Sequence, residues 1–268
     1  MSRYRAVYFD VDATLVDERR RFHPATVAAI HELSRLGVRR GLATGRAFQS
    51  ARPYARAIAA DAPLVLFNGC QVADPNDGAV LASRTLALAH ARTALRLAGV
   101  HDLHVNCYLD RLYVARLGRR ARESVAKDGL EAHPVGELEA FLDRDPIKLL
   151  LIGPAQACDA FKEEMDAACT GEPEPPTVVR SEPEYVEVLA HGAHKGLGLE
   201  LACAAAGLDP AQVVAFGDGL NDLELLSTAG LGIAPQNAHP EVRRQADRVI
   251  GHHDTDALGL ALAEIFGF

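Results

Sequence analysis

The amino-acid sequence predicts an α/β fold, in which a parallel sheet flanked by helices is interrupted by an inserted α+β module. Near the N-terminus, short apolar runs alternate with amphipathic helical segments, and the same alternation returns near the C-terminus. Strand and helix alternation of this kind is typical of a parallel sheet. The intervening segment instead contains strands joined by tight turns. We therefore predict a core formed by residues 1–82 and 189–268, and an inserted domain over 83–188.

The N-terminal half of the core contains three predicted strands, over 6–9, 40–43 and 64–67. The first helix begins near Pro24, has apolar residues spaced three or four apart, and ends before Gly37. A second helix is predicted over 48–60. The C-terminal half repeats the pattern, with helices over 197–206, 221–229 and 256–266 and strands over 213–216 and 231–234.

The inserted segment has a different order of elements. Residues 105–108 and 112–116 flank a turn at 109–111 and predict a hairpin. Further strands are predicted over 148–152, 177–180 and 185–189, with helices over 90–97 and 158–169. Because this domain joins the core at two points, we expect it to act as a lid that admits small molecules rather than folded proteins. The polar residues predicted on its strands to recognise substrate are Asn106, Arg116, Arg180 and Glu187.

Composition limits the classes of partner. The 268 residues carry a net charge of −8, and the sequence pI is about 5.8. Nucleic acid is therefore not expected as a partner, since binding phosphate backbones requires clustered Lys and Arg. No apolar run approaches the roughly 20 residues that span a bilayer, so no membrane association is expected. The five scattered cysteines indicate reduced thiols and a cytoplasmic protein. The expected assembly is a monomer or a small homo-oligomer.

Polar side chains occur where the predicted core strands end. The carboxyl ends of parallel strands meet at one edge of a sheet, so these side chains are expected to lie close together. Clustered carboxylates repel one another unless a cation or shared protons intervene, and oxygen ligands around an open position suit Mg²⁺. The residues concerned are Asp10, Thr44, Asn68 and Asp218 at strand ends, with Asp12 and Asp222 just beyond.

The loops at this edge also suit a phosphate group. The turns over 12–14 and 44–46, and the helix predicted after Asp218, can direct backbone N–H groups at an anion. Lys195, at the start of another predicted helix, supplies a compact positive charge. A carboxylate in such a site can attack phosphorus while the cations neutralise the phosphoryl oxygens. The pattern favours phosphoryl transfer.

Five short motifs carry a resemblance to a known family. They are D-V-D-A-T-L over 10–15, A-T-G-R over 43–46, N-G at 68–69, H-K-G over 194–196 and G-D-G-L-N-D over 217–222. In this order and on these elements, they resemble the haloacid dehalogenase (HAD) superfamily, most closely its Cof-type phosphatases with a type IIB cap. The resemblance implies a Rossmann-like parallel-sheet HAD core with an inserted α+β cap domain that sets substrate specificity.

The resemblance also implies a role for each motif residue. Asp10 would be the nucleophile and a metal ligand, and Asp12 the acid and base whose main-chain carbonyl also binds Mg²⁺. Thr44 and Lys195 would bind and stabilise the phosphoryl group. The remaining substrate-binding residues would be Gly45, Arg46, Asn68 and Asn221, and the metal site would be completed by Asp218 and Asp222, the latter supporting the metal or the lysine. One residue departs from the family pattern, because Ala13 occupies a position that is usually glycine.

The function implied is that of a Mg²⁺-dependent phosphatase acting on small phosphorylated metabolites, such as sugar phosphates, through an aspartyl-phosphate intermediate. Two alternatives stay open at this point. A phosphotransferase or mutase on the same scaffold would pass the phosphoryl group to a hydroxyl instead of water. An inactive binding protein would lack the nucleophile, the acid or the lysine, whereas all three are present here.

Overall fold

The computed structural model describes residues 3–268, apart from the side chains of residues 127, 181 and 182; residues 1 and 2 of the predicted core lie outside this range. The chain divides into two compact units. One runs up to Ala82 and resumes with His194–Phe268, and the other is Ser83–Ala193. The predicted return to the core at residue 189 therefore precedes the observed boundary by five residues, because the last strand of the insert and its following turn pack with the insert.

The elements of the first unit begin with β1 (Ala6–Phe9), α1 (Pro24–Arg35), β2 (Arg39–Leu42), α2 (Phe48–Ala57), β3 (Leu64–Leu66), β4 (Gln71–Ala73) and β5 (Val80–Ser83). The second unit contains α3 (Leu88–Val100), β6 (His104–Tyr108), β7 (Leu112–Val114), α4 (Arg119–Asp128), β8 (Ala132–Pro134), α5 (Leu138–Phe141), β9 (Lys148–Ile152), α6 (Ala155–Ala168), β10 (Thr177–Glu182) and β11 (Tyr185–Leu189). The first unit resumes with α7 (Lys195–Ala206), β12 (Val213–Phe216), α8 (Leu223–Thr228), β13 (Leu231–Pro235), α9 (Pro240–Gln245), β14 (Arg248–Ile250) and α10 (Ala257–Phe266).

The first unit is built on a parallel sheet with strand order β14-β13-β12-β1-β2. Strand β1 lies between β12 and β2, with Phe9 opposite both Phe216 and Leu42. All four β1 side chains are buried, as expected of a strand with helices on both faces. The prediction of an α/β fold is confirmed.

The third predicted parallel strand takes a different course. Strand β3 meets the main sheet through one parallel bridge, between Ala43 and Val65. It then pairs antiparallel with β4, in a separate sheet of order β3-β4-β5. The antiparallel partners lie only a few residues further along the chain, so local hairpin formation competes with addition to the parallel sheet. Strands β4 and β5 were not expected from the sequence.

The second unit contains a six-stranded sheet of order β10-β11-β9-β6-β7-β8. Apolar residues on one face of its central strands form a core with α3 and α6, in which Phe161 and Met165 are fully buried. The predicted hairpin is present, since β6 and β7 are antiparallel neighbours. The sequence patterns did not predict α4, β8 and α5.

Three of the four polar residues expected to contact substrate make contacts inside the second unit. Asn106 is buried and donates to Ser124 Oγ over 2.7 Å. Glu187 forms a buried ion pair with Lys148, at 2.5 Å. Arg180 pairs with Asp159 at 3.3 Å, and the fourth, Arg116, is exposed. The sequence did not show which face of a strand each of these side chains occupies, because both faces of these short strands carry polar residues.

Two further observations concern the cysteines and the lengths of the helices. All five cysteines are buried and none is disulfide-bonded. Across residues 3–268, each helix is too short or too polar to cross a bilayer.

Candidate active site

The central position of β1 brings the predicted site residues to one edge of the sheet. Asp10 directly follows β1, and its N–H donates to the carbonyl of Phe216, the last residue of β12, over 2.8 Å. On the other side of β1, Ala43 donates to the Phe9 carbonyl, also over 2.8 Å. The loops after β1, β2 and β12 therefore leave the sheet side by side, which is where ligands bind in open α/β sheets.

Lys195 joins two carboxylates at the centre of this site. Its ammonium nitrogen lies 2.6 Å from Asp10 Oδ1 and 2.6 Å from Asp222 Oδ1. The lysine side chain is only 1% exposed, so these contacts are charge-assisted hydrogen bonds shielded from water. Lys195 thus stands beside Asp10, the predicted nucleophile.

The position of Lys195 depends on two glycines where α7 approaches the turn after β3. A Cβ atom on Gly69 would lie 2.1 Å from the backbone oxygen of His194, and Gly69 has a φ of +93°. A Cβ on Gly198 would lie 2.3 Å from Val65 Cγ1. Any larger residue would push the N-terminus of α7 outward, and Lys195, the first residue of that helix, would move with it.

Asp222 shapes the loop that carries Asp218. Its second carboxylate oxygen, Oδ2, accepts hydrogen bonds from the N–H groups of Asp218, at 3.0 Å, and Gly219, at 2.9 Å. Both oxygens of Asp222 therefore have hydrogen-bond donors, one of them Lys195. On the opposite side, Thr14 Oγ1 donates to Asp218 Oδ1 over 2.7 Å. The geometry gives Asp222 the task of holding the lysine and the loop, while Asp218 faces the turn after β1.

Negative charge is in excess within this cluster. Burial raises the pKa of Asp10 despite the opposing effect of Lys195, and the Asp222 charge adds to the rise. Burial, together with the charge of Asp222, raises the pKa of Asp218 to about 6. Burial alone would lower the pKa of Lys195, but Asp10 and Asp222 raise it above its ordinary value. Three carboxylates thus face one ammonium group.

The donor set suits a hard divalent cation. One oxygen from each of Asp10, Asp218 and Asp222 can be chosen so that all lie within 4.8 Å of one another. Such oxygens match the ligands that Mg²⁺ takes in proteins, usually one or two carboxylates with waters and a substrate phosphate. A cation here would also offset the repulsion between these carboxylates, which adds to the effect of burial in raising the pKa of Asp10 and Asp218.

Asp12 is held by an arginine. Arg46 donates from Nε to Asp12 Oδ2 over 2.8 Å and from Nη2 to Asp12 Oδ1 over 2.6 Å. Its Nη1 donates to Ser50 Oγ over 2.7 Å, and the guanidinium lies over the Tyr54 ring. The Asp12 side chain is nevertheless 52% exposed, so it is accessible to a substrate. The structure places Arg46, predicted to bind substrate, as the orienting partner of Asp12.

The other predicted phosphate-binding residues also converge. Asn221 Nδ2 donates to Asn68 Oδ1 over 3.0 Å, and the N–H of Asn68 donates to the Thr44 carbonyl over 3.1 Å. Gly45 approaches so closely that a Cβ there would lie 3.2 Å from the Asn68 amide. Asn68 has a φ of +55° and Phe67, before it, a φ of +50°. Successive left-handed residues are strained, and such strain is concentrated at functional sites.

Ala13 has the left-handed conformation that glycine would adopt freely. Its φ is +57°, which costs an alanine roughly 1–2 kcal/mol. The departure from the family pattern therefore carries an energetic cost at the turn between Asp12 and Thr14.

Several residues in contact with the site had no role predicted from the sequence. They are Thr14, which bonds Asp218, Ser50, which bonds Arg46, and Asn237, whose Nδ2 donates to the Ala13 carbonyl over 2.8 Å. Thr14 lies within the D-x-D-x-T motif and could have been found there. Asn237 opens a further stretch, with Ala238, that also resembles the family, but the resemblance gave it no role. Ser50 lies outside every motif, so no local signal marked it.

Comparison with known proteins agrees with this geometry. Residues 7–262 match the haloacid dehalogenase-like hydrolase family. The chain is 26% identical over 273 residues to the pyridoxal phosphate phosphatase YbhA of Escherichia coli (strain K12), over 95% of this chain and 96% of the relative. It is 28% identical over 262 residues to the HMP-PP phosphatase of Serratia proteamaculans (strain 568), over 95% and 93%.

A solved structure shows the same fold. The crystal structure of a haloacid dehalogenase-like hydrolase from Bacteroides thetaiotaomicron matches with a TM-score of 0.87 at 21% identity, over 98% of this chain and 99% of that one. The family of the chain follows from three findings: the fold, the family match over 7–262 and the similarity to the two phosphatases. The chain belongs to the haloacid dehalogenase-like hydrolase family, as a phosphatase of the Cof type.

Proposed function

We propose that this protein hydrolyses phosphate monoesters of small metabolites, with Asp10 as the nucleophile and Mg²⁺ as the cofactor. The observation that carries the proposal is the contact of Asp10, at the end of β1, with a fully buried lysine that is itself held by Asp222, at 2.6 Å in each case. A lysine so placed holds the nucleophile in one orientation and offers positive charge where a phosphoryl group would be transferred.

The reaction has two chemical steps. In the first, an oxygen of Asp10 forms a bond to phosphorus while the bond from phosphorus to the leaving oxygen breaks, and the Asp12 carboxyl gives its proton to that oxygen. In the second, Asp12 takes a proton from water as the water oxygen attacks phosphorus. The bond from phosphorus to Asp10 breaks, which releases inorganic phosphate and restores the Asp10 carboxylate.

The remaining residues bind and position the phosphoryl group. Lys195 neutralises charge on its oxygens, and Thr44 and the N–H groups of the turns beside it supply hydrogen bonds. Arg46 holds the Asp12 carboxyl in one orientation through its two hydrogen bonds. Asp10, Asp218 and the main-chain carbonyl of Asp12 would hold Mg²⁺, which supplies Lewis-acid stabilisation of the transferring phosphoryl oxygens when bound.

The substrate class rests on the relatives and on the inserted domain. One relative acts on pyridoxal phosphate and the other on HMP-PP, so we propose a small phosphorylated metabolite of this size, with sugar phosphates included. Residues 83–188 are proposed to provide the specificity domain. A cytoplasmic location is proposed as well, since all five cysteines are buried thiols without disulfides.

The proposed activity is tested by a phosphate-release screen without any added acceptor. We expect release from sugar phosphates, pyridoxal phosphate or similar small esters, and little release from a phosphopeptide. Release that requires an added alcohol or sugar would favour the phosphotransferase alternative. Efficient turnover of the phosphopeptide, with small esters untouched, would contradict the proposed substrate class.

Removal of the metal should stop the reaction and change stability. We expect EDTA to abolish turnover, Mg²⁺ to restore it and Ca²⁺ to restore it poorly, because its larger and looser coordination misplaces the reacting groups. Mg²⁺ at ten times its dissociation constant should also add about 1.4 kcal/mol to the free energy of unfolding. Thermal melts with and without Mg²⁺ measure this gain.

The same melts should depend on pH. The pKa of Asp218 in the folded protein is about 6, above its ordinary value, so in the absence of metal its ionisation lowers stability as the pH rises towards and through 6. A cation relieves this penalty only when the carboxylate is charged, so the gain from Mg²⁺ should be larger at pH 7.5 than at pH 5. Asp218→Asn should remove most of the gain. Equal stabilisation of both proteins by Mg²⁺ would place the metal elsewhere.

A further inference from the structure

Asn237, in the loop between β13 and α9, connects two segments that are far apart in the sequence. Its Nδ2 donates to the Ala13 carbonyl over 2.8 Å. Its Oδ1 accepts from the N–H of His253 over 3.1 Å. Each end of the amide therefore has a partner of the right polarity, and this fixes which end faces Ala13.

The turn that receives this hydrogen bond carries groups of the proposed mechanism. Ala13 lies between Asp12 and Thr14, and Thr14 Oγ1 donates to Asp218 Oδ1 over 2.7 Å. Its φ of +57° is unfavourable for alanine, so the turn needs tertiary contacts to keep its shape. The hydrogen bond from Asn237 is such a contact, since it holds the carbonyl of the strained residue itself.

The segment that carries Asn237 also holds the second loop of the site. Two residues further on, the N–H of His239 donates to the main-chain carbonyl of Asp218 over 2.9 Å. The segment is itself anchored, because Ala238 N–H donates to the Pro235 carbonyl over 3.0 Å. A short stretch after β13 thus fixes the main chain on both sides of the proposed cation site.

The Oδ1 end of the Asn237 amide accepts its hydrogen bond from a buried residue, His253. His253 is only 8% exposed, and neither of its ring nitrogens has a hydrogen-bond partner in the described structure. The contact with Asn237 uses the backbone N–H of His253, so it does not depend on the protonation of the ring. Because His253 is packed into the protein, the Asn237 amide cannot rotate freely to donate to an acceptor other than the Ala13 carbonyl.

We infer that Asn237 is a positioning residue, which keeps the turn at Ala13 and the Asp218 loop in the arrangement needed to bind the cation and to direct Asp12. This inference rests on the proposed function. Asn237 touches neither substrate nor cation in it, and acts through the Ala13 carbonyl.

The decisive variant is Asn237→Asp, which keeps the size and the acceptor for His253 but places an oxygen against the Ala13 carbonyl. We expect roughly ten-fold weaker Mn²⁺ binding, measured by the EPR signal of free Mn²⁺, and a similar loss in kcat/KM. Amide hydrogen exchange of a peptide over 11–16 should accelerate. Asn76→Ala serves as the control, because that exposed asparagine donates hydrogen bonds to Asp74, outside the site, and its replacement should change none of these quantities.

A second variant separates positioning from general destabilisation. Ala13→Gly removes the strain that Asn237 offsets. The double variant with Ala13→Gly and Asn237→Ala should therefore bind Mn²⁺ at least three-fold more tightly than Asn237→Ala alone. The inference would be overturned if Asn237→Asp left Mn²⁺ binding, kcat/KM and hydrogen exchange unchanged. It would also be overturned if the double variant bound Mn²⁺ no more tightly than Asn237→Ala. If the unmodified protein neither binds Mn²⁺ nor releases phosphate, the proposed function fails instead.

Discussion

Asp10→Asn is expected to lower phosphate release by roughly 10⁴-fold or more, since loss of a nucleophile removes the covalent route. The fold should survive. Burial raises the pKa of Asp10, so its ionised carboxylate opposes folding at neutral pH, and a neutral amide relieves that penalty. Lys195 keeps its partner Asp222 at 2.6 Å. We therefore expect a melting temperature no lower than that of the unmodified protein.

Two comparisons make this result specific. Asp77→Asn, at an exposed turn where the carboxylate accepts from the Ala79 N–H, should leave activity unchanged. Asp12→Asn should lose 10²- to 10⁴-fold with an alkyl phosphate, but less with an aryl ester whose leaving group needs no proton. A folded Asp10→Asn protein with most of its activity would exclude the covalent mechanism.

Lys195→Met should remove activity and stability together. The substitution leaves Asp10 and Asp222 facing one another without the ammonium group that each contacts at 2.6 Å. Asp222 is almost completely buried, and breaking a buried ion pair by removing one partner costs roughly 3–5 kcal/mol. Urea unfolding with a phosphate-release assay on the same preparation measures both losses.

A matched control and a rescue variant accompany this prediction. Lys162→Met removes a lysine that pairs with Asp166 at 2.6 Å on the surface of α6, and exposed pairs contribute less than about 1 kcal/mol. The double variant with Lys195→Met and Asp222→Leu should recover part of the stability but none of the activity. Recovery of activity would show that Lys195 serves only to neutralise Asp222.

The edge of the sheet where the site lies could be predicted because its signals are local. The run Ala6–Phe9 is apolar and its next residue is Asp10, and an apolar strand followed by a carboxylate needs no distant contact to be recognised. A polar residue likewise stands two positions after the end of β2, at Thr44, and two positions after the end of β12, at Asp218. Parallel pairing then brings these ends together by geometry alone.

The partners of the site residues could not be predicted in the same way. Arg46 was expected to bind substrate, which stays a prediction, and no signal announced that it donates to Asp12, 34 positions earlier in the chain. Asp222 was expected near the metal or the lysine, and its second oxygen proves to be occupied by two backbone N–H groups. A polar side chain can form hydrogen bonds with several kinds of group. Which of them it contacts depends on the groups that tertiary packing places within its reach.

The sequence by itself determined the parallel core, and it pointed to the inserted domain and to the candidate nucleophile, acid and lysine, because hydrophobic periodicity and strand-end motifs are properties of neighbouring residues. The tertiary structure alone decided the departure of β3 from the parallel sheet, the left-handed turn at Ala13 and the link from Asn237 to that turn. These features join residues as many as 224 positions apart. Their free energies depend on which groups the folded chain brings within hydrogen-bonding distance, and no local pattern encodes that distance.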